Sequence, residues 1–243
     1  MRVLRPTLLL AALVVAGAFI VAFRPRPDDR FAVRVVDPKQ EHLALQWKDA
    51  QGNILGNIGA LEKAVNARKE RLLFAMNAGM YMEDQRPLGL YIEEGTTLRP
   101  LITRSHGEGN FYLQPNGVFG LTRDRQAFVC TTTDFAKQRE VHYATQSGPM
   151  LLVDGTINAQ FLEGSTNLNI RNGVGVRPNG EVVFLISRGP VNFYDFAKAF
   201  RDQGCTNALY LDGAISRALI PEERLAQRDG RLGPLIAVTA PQK

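Results

Sequence analysis

The stretch VNFYDFAKAFRDQGCTNALYLDGAIS, residues 191–216, joins a helix pattern to a strand pattern and ends near a carboxylate. Asn192 and Asp195 form a predicted N-terminal capping box, and Gly204 ends the helix. One helix face is apolar: Phe193, Phe196, Ala197 and Phe200. The apolar run after Gly204 predicts a buried strand that stops at Asp212. Two interpretations of Asp212 stay open here: a turn residue, since Asp-Gly is a common turn pair, or a working carboxylate at the mouth of a sheet.

The rest of the chain has the pattern of strands joined mainly by hairpins. A second helix is predicted within residues 57–70, with Asn57 as its N-cap, and hairpin turns are predicted at Glu94–Gly95 and at 178–180. A regular strand–helix–strand alternation is absent, which excludes a Rossmann fold. We expect one α+β domain, with a largely antiparallel or mixed β-sheet and a few flanking helices.

The N-terminus has the layout of an export signal. A short basic segment precedes an unbroken apolar run, and residues 1–23 are therefore expected to be a signal peptide or an uncleaved membrane anchor. The Pro- and Arg-containing residues 24–30 then form a linker, and residues 31–243 form the folded domain. The expected location is periplasmic or extracellular, with membrane contact only through the N-terminal segment if it stays uncleaved.

The composition limits the kinds of substrate, metal and cofactor that the protein is expected to bind. The net charge of +5 suits an anionic substrate, but Lys and Arg form no block, so nucleic acid is not an expected partner. Cys130 and Cys205 either pair, as an oxidising compartment allows, or stay as buried thiols. No metal-ligand spacing or cofactor motif is present, and neither a metal nor a cofactor is expected. The sequence does not indicate an oligomeric state.

Several predicted strands end or begin in small and polar residues, which together predict the rim of one pocket. Asn77 and Gly79 follow one strand, and Ser147 and Gly148 precede another. Arg171 adjoins a Gly-rich strand. The Asp212 segment adds Gly213 and Ser216. Glycine allows close backbone approach to a ligand and exposes N–H groups for anions.

Five segments in this order resemble the phosphodiester glycosidase family, and most closely its small exported bacterial branch. They are NAGMY…RPLGLYIEEG, GNFYLQPNGVF, QSGPMLLVDG, RNGVGV and FRDQGCTNALYLDGAIS, and the resemblance covers about residues 70–240. It implies hydrolysis of a sugar–phosphodiester bond, with release of the sugar and a phosphomonoester. The chain departs from the family pattern at Ala214, where a second glycine is usual.

With this resemblance, Asp212 is expected to be a general acid, Arg171 to hold phosphate through a bidentate fork, and Asn77 to bind sugar or phosphate. The alternatives are a turn for Asp212, a surface salt bridge for Arg171 and a left-handed turn for Asn77. The candidates for substrate contact are Gly79, Ser147, Gly148, Gly213, Ser216, Asn116 and His106.

The substrate-contact candidates also have ordinary structural explanations. Ser216 is expected to orient Asp212 or to cap a turn, Asn116 to form a turn after Pro115, and His106 to be solvated in a polar loop. Glycosidases usually pair two carboxylates, and Glu108 and Glu163 are the candidates for the second one.

The resulting prediction is an exported hydrolase of glycosyl phosphodiesters, with cell-envelope glycans as the candidate source. The alternative is a non-catalytic envelope protein that binds glycan or phosphate in the same pocket, which the Ala214 departure keeps open. A third interpretation, a metal-dependent phosphodiesterase, lacks a His/Asp ligand cluster in the sequence.

Overall fold

The computed structural model describes residues 28–138, 140–212 and 215–242. The predicted export segment, most of the linker, and Gly213 and Ala214 lie outside the described residues. Within the described residues, no helix has the length and apolar character needed to cross a membrane.

The described chain is built mainly of β-strands. The first eight are β1 Phe31–Val36, β2 His42–Gln46, β3 Glu70–Asn77, β4 Tyr91–Glu93, β5 Thr96–Arg99, β6 Gly117–Thr122, β7 Ala127–Thr131 and β8 Val141–Ser147. The remaining strands are β9 Met150–Val153, β10 Thr156–Ile157, β11 Asn172–Val176, β12 Val182–Ser187, β13 Asn207–Tyr210, β14 Ala218–Ile220, β15 Leu225–Ala226 and β16 Leu235–Pro241. The α-helices are α1 Ile58–Ala67 and α2 Phe193–Asp202.

The strands form three antiparallel sheets rather than the single sheet expected from the sequence. Their orders are β1-β12-β11-β13-β9-β10, β15-β14-β3-β16-β2 and β5-β4-β8-β6-β7. The expected class of α+β is therefore corrected to mostly β with few helices, because the two α-helices of the described residues only cover faces of the sheets. The sequence left antiparallel and mixed sheets as alternatives, and the pairing observed is antiparallel.

The main core lies between the sheets and draws on all three of them. Phe184 of β12 packs on Phe74 of β3, with ring centroids 4.8 Å apart, and on Phe119 of β6 at 6.0 Å. Each helix covers an outer face: Phe196 and Phe200 of α2 join the cluster of the six-stranded sheet, while α1 packs on the sheet containing β3.

Both predicted helix caps are confirmed. The Asn57 side chain accepts a hydrogen bond from the Ala60 N–H at 2.8 Å, and the Asn192 side chain accepts one from the Asp195 N–H at 2.8 Å. Each bond satisfies one of the N–H groups that a helix leaves open at its start. The predicted stop of α2 is also present, with Gly204 in the left-handed region at φ +80°.

Candidate functional site

One strand end from each sheet meets next to Asp212. β3 ends at Asn77, β8 ends at Ser147, and β13 ends at Tyr210, two residues before Asp212. Asp212 itself is 6% exposed. The packing of the three sheets thus brings together three polar positions that are distant in sequence, as the strand-end pattern predicted.

Four buried side chains hold the main chain around Asp212, and we name them the clamp: Asn77, Ser147, Asn172 and Ser216. The Asp212 carbonyl accepts from the Ser216 hydroxyl at 3.1 Å and from the Asn77 side-chain amide at 3.4 Å. The Ser147 hydroxyl donates to the Leu211 carbonyl at 3.1 Å. The clamp therefore hydrogen-bonds to the backbone carbonyls on both sides of the Asp212 α-carbon.

Asn172 links Asn77 and Ser216 of the clamp and was missed by sequence reasoning. Its side-chain amide donates to the Asn77 carbonyl at 3.0 Å, its Oδ1 lies 3.3 Å from the Ser216 hydroxyl, and its carbonyl accepts from the Leu211 N–H at 3.1 Å. The one signal in the sequence was a polar residue opening a Gly-rich strand beside Arg171.

The far end of the segment is held as well, since Asn77 Oδ1 accepts from the Arg217 N–H at 2.8 Å. The hydrogen bonds of Asn77, Ser147 and Ser216 thus go to protein groups. The structure places these three predicted site residues together with Asp212, in positions that orient it.

Arg171 is fully buried, and its guanidinium is largely engaged by the protein. Nε donates to the Val191 carbonyl at 2.9 Å, and Nη2 donates to the Asn167 carbonyl at 2.9 Å and to Asn167 Oδ1 at 3.2 Å. The guanidinium carbon lies 3.6 Å from the Phe193 ring centroid. Most of the guanidinium donors that were predicted to bind phosphate therefore already bond to protein groups. The alternative prediction, a surface salt bridge, is wrong because Arg171 is buried.

The remaining nitrogen of Arg171 is different. Nη1 is buried and makes no hydrogen bond among the described residues that meets normal geometry. Burial lowers the pKa of Arg171 and the nearby Tyr210 hydroxyl raises it, but a guanidinium stays charged at any physiological pH. A buried cation with an open donor is one that an anionic ligand would complete.

Two tyrosines that sequence reasoning missed share the electrostatic neighbourhood of Asp212. Burial raises the pKa of Tyr210 to about 12; the Arg171 charge lowers this pKa and the Asp212 charge raises it. Burial, followed by the Asp212 charge, raises the pKa of Tyr81 well above its usual value. The Tyr81 hydroxyl donates to the Arg231 carbonyl at 2.6 Å. Tyr81, Tyr210, Arg171 and Asp212 therefore surround one polar site.

Two of the predicted glycines are sites of close packing. A Cβ at Gly79 would lie 2.4 Å from the Gln146 carbonyl oxygen, and a Cβ at Gly148 would lie 2.8 Å from the Asn116 Cβ. The Asn116 side-chain amide donates to the Phe111 carbonyl at 3.2 Å. These contacts fix the strand ends beside Ser147, and they give Asn116 a structural hydrogen bond.

The other candidates are dispersed or not described. His106, Glu108 and Glu163 lie exposed on loops, and Gly213 is outside the described residues. Over 28–138, 140–212 and 215–242, no three His, Cys, Asp or Glu side chains are grouped to hold a metal ion. Cys130 and Cys205 are free, so the disulfide interpretation is wrong; burial raises the pKa of each thiol to about 12.

Asp212 and Arg171 are thus both buried near these converging strand ends. A family model described as phosphodiester glycosidase matches residues 70–234. The chain belongs to the phosphodiester glycosidase family, and the resemblance seen in the sequence is confirmed. It is thus a hydrolase of this kind, whose family implies a sugar-phosphate substrate.

The chain is also similar to known proteins in sequence and in fold. The chain is 40% identical over 182 residues to the uncharacterised protein YigE of Escherichia coli K12, covering 74% of this chain and 70% of that protein. Its fold is similar to the zebrafish N-acetylglucosamine-1-phosphodiester α-N-acetylglucosaminidase catalytic domain, auto-inhibited by its pro-peptide: TM-score 0.60, 16% identity, 89% of this chain and 84% of that one. A putative exported protein from Burkholderia pseudomallei is similar with TM-score 0.54 and 11% identity, over 86% and 73% of the two chains.

Proposed function

We propose that the protein is an exported hydrolase that cleaves the bond between a sugar and the phosphate of a glycosyl phosphodiester in cell-envelope glycans. Water adds its oxygen to the sugar C1 as the bond from C1 to the bridging phosphate oxygen breaks. One proton of the water remains on the new sugar hydroxyl. The other passes to Asp212 and replaces the proton that Asp212 gives to the phosphomonoester. The products are a free sugar and a phosphomonoester.

The observation that carries this proposal is the clamp around Asp212 beside a buried guanidinium. Asp212 is the proposed general acid: it gives its proton to the departing phosphate oxygen and regains one from water. The clamp supports this role because it holds the backbone of Asp212 on both sides. Rigid placement of the acid lowers the reorganisation needed during the reaction.

Arg171 is the proposed stabiliser of the phosphate charge. Its Nη1 is the donor left open, while Val191 and Asn167 fix the plane of the guanidinium. A fixed cation in a desolvated site acts more strongly on a phosphate than the same charge in water. Asn77 is assigned to positioning Asp212 rather than to direct contact with the sugar.

Export rests on the basic and apolar pattern of residues 1–23. A fusion of residues 1–30 to a reporter that is active only outside the cytoplasm tests it. Activity supports export, and a reporter that remains cytoplasmic contradicts it.

The second candidate is a non-catalytic protein that binds glycan or phosphate, and the observation in its favour is Ala214 in the Asp-Gly-Ala sequence. Both candidates are tested with a synthetic sugar-1-phosphodiester in ¹⁸O-labelled water. The hydrolase releases sugar that carries the label at C1. Binding of the substrate without release supports the second candidate.

The same assay distinguishes a phosphodiesterase. Label in the phosphate rather than in the sugar means that a P–O bond broke, which contradicts the glycosidase mechanism. A parallel reaction with chelator, followed by addition of a divalent cation, tests whether the activity depends on a metal.

A further inference from the structure

An exposed apolar surface borders the candidate site. Four large apolar side chains, which we name the apolar rim, remain in solvent: Leu113 at 36%, Leu162 at 71%, Leu168 at 52% and Ile170 at 42%. Three of them lie on the segment from 158 to 170, immediately before Arg171. Concentration of exposed apolar residues on one segment marks a binding surface more often than scattered single residues do.

A cleft of about 210 Å³ opens between this segment and the start of α2. Leu113, Phe161 and Leu162 line it, and Phe193 lies at its base, with the Phe161 and Phe193 rings stacked 4.9 Å apart. Its volume is below the roughly 300–1,000 Å³ of pockets that hold drug-sized ligands. The cleft therefore suits one short chain rather than an oligosaccharide.

The polar groups of the cleft are partly engaged by the protein. Asn167 Oδ1 accepts from Arg171 and also from the Asn169 amide at 2.8 Å. The Gln160 amide donates to the Gln114 carbonyl. A sugar ring needs such groups for its hydroxyls, whereas the leucines of the same cleft are open to a ligand.

The cleft is continuous with the site through Arg171. Phe193 and Asn167 line the cleft and also contact the Arg171 guanidinium. At the other end of the segment, the Ile170 carbonyl lies 3.3 Å from the Ser216 hydroxyl of the clamp. The segment from 167 to 171 therefore leads from the cleft to Asp212, with Leu168 and Ile170 exposed along it.

We infer that this cleft and the apolar rim bind an alkyl chain on the far side of the substrate's phosphate. The inference rests on the proposed function. If Asp212 protonates the oxygen that bridges sugar and phosphate, and Arg171 holds the phosphate, the group beyond the phosphate lies beyond Arg171, where the cleft opens. The substrate class is then an amphiphilic glycosyl phosphodiester, in which phosphate joins a sugar to a hydrocarbon chain.

The test compares three substrates with the same sugar and phosphate, carrying a methyl, an octyl or a hexose group, below the micelle concentration of the octyl compound. Each methylene buried contributes to binding, so kcat/KM for the octyl substrate is expected to exceed those of the other two by at least ~10-fold. Leu162→Asn is expected to reduce the octyl-to-methyl ratio by about 10-fold. The matched control is Leu98→Asn, since Leu98 is exposed at 45% on β5, and this variant should keep the wild-type ratio.

Equal rates for the three substrates, a preference for the hexose, or an unchanged ratio in Leu162→Asn would overturn the inference while leaving the hydrolase intact. If no substrate is hydrolysed, the proposed function fails, and calorimetric binding of octyl phosphate decides about the cleft. Tighter binding of octyl than of methyl phosphate, reduced in Leu162→Asn but not in Leu98→Asn, supports the cleft. Equal binding of the two phosphates overturns it.

Discussion

Two Asp-Gly pairs follow apolar strands in this protein, and the structure uses them differently. Asp154, in LLVDG after β9, is exposed with a left-handed φ of +47°, and with Gly155 it turns the chain into β10. Asp212, in LYLDG after β13, is 6% exposed and held by the clamp. The same dipeptide is a hairpin turn at one place and the candidate catalytic site at the other. Burial decides the difference, since the Asp154 N–H also has a partner distant in sequence, Asn207 Oδ1 at 3.0 Å.

The largest expected effect on stability comes from replacing Asn172 of the clamp. Asn172→Leu keeps the side-chain size but leaves the Asn77 carbonyl without its donor and Ser216 without one of its partners. Unsatisfied buried groups cost roughly 1–3 kcal/mol each, so Tm should fall by about 5–10 °C, and hydrolysis should fall at temperatures below both melts. Thermal melts and turnover assays measure both effects.

The control for this variant is Asn66→Leu, because Asn66 is exposed on α1. It should change neither property. A wild-type melt and full activity in Asn172→Leu would mean that the clamp does not distinguish Asp212 from Asp154.

The second expected effect concerns the charge next to Asp212. Arg171→Lys keeps a positive charge but loses the planar donors that bond the Val191 and Asn167 carbonyls. Hydrogen bonds to charged groups are worth about 1.5–3 kcal/mol, so kcat/KM for a phosphodiester should fall ~10–100-fold. A plain glycoside of the same sugar, assayed below both melting temperatures, should be affected less.

Arg177→Lys provides the matched control, since Arg177 pairs with Glu181 on the β11–β12 hairpin. It should leave the activity unchanged. Equal losses on the phosphodiester and on the glycoside in Arg171→Lys would assign Arg171 a structural role only.

The smallest effect tests whether burial of a carboxyl is enough to define a site. Burial raises the pKa of Glu93 on β4, and Tyr91 donates to its Oε2 at 2.8 Å. The pKa of Glu93 is higher in the folded state than in the unfolded state. The contribution of Glu93 to stability is therefore greatest at low pH, and it falls as pH rises above about 4.5 through the folded-state pKa.

Glu93→Gln removes the charge and should raise Tm by about 2 °C at pH 7, with no gain at pH 4 and no change in activity. Melts of both proteins across this pH range measure the effect. A loss of hydrolysis in Glu93→Gln would place a second carboxylate in the mechanism and weaken the contrast drawn between Asp212 and other acidic residues.

Local sequence patterns predicted much of the secondary structure. Asn57 and Asn192 predicted both helix starts, because capping depends on residues within one turn. The division into three sheets was not predictable, since alternation along a strand does not state which sheet the strand joins. The Asp-Gly pair at Asp154 forms the kind of turn that this dipeptide favours.

The candidate site was predictable in part, because the polar residues at strand ends are visible in the local sequence. Strand ends at Asn77, Ser147 and Asp212 predicted a common rim, but not that Asn77 and Ser147 would hold backbone. Asn172 and Tyr210 were missed because their partners lie far away in sequence: Asn172 bonds the Asn77 carbonyl, and Tyr210 lies near Arg171. Such roles arise from packing between sheets and leave no local signal.

The most direct test of the catalytic role of Asp212 uses two variants, Asp154→Asn and Asp212→Asn. Melting temperature and turnover are measured on the same preparation of each. Asn shares the turn propensity of Asp but carries no charge and exchanges no proton. Asp154→Asn is expected to match wild type in both measurements. Asp212→Asn is expected to melt at the same or a higher temperature and to lose sugar-phosphodiester hydrolysis by ~10²–10⁴-fold or more. Full hydrolysis by Asp212→Asn, or equal losses in the two variants, would contradict the catalytic role of Asp212.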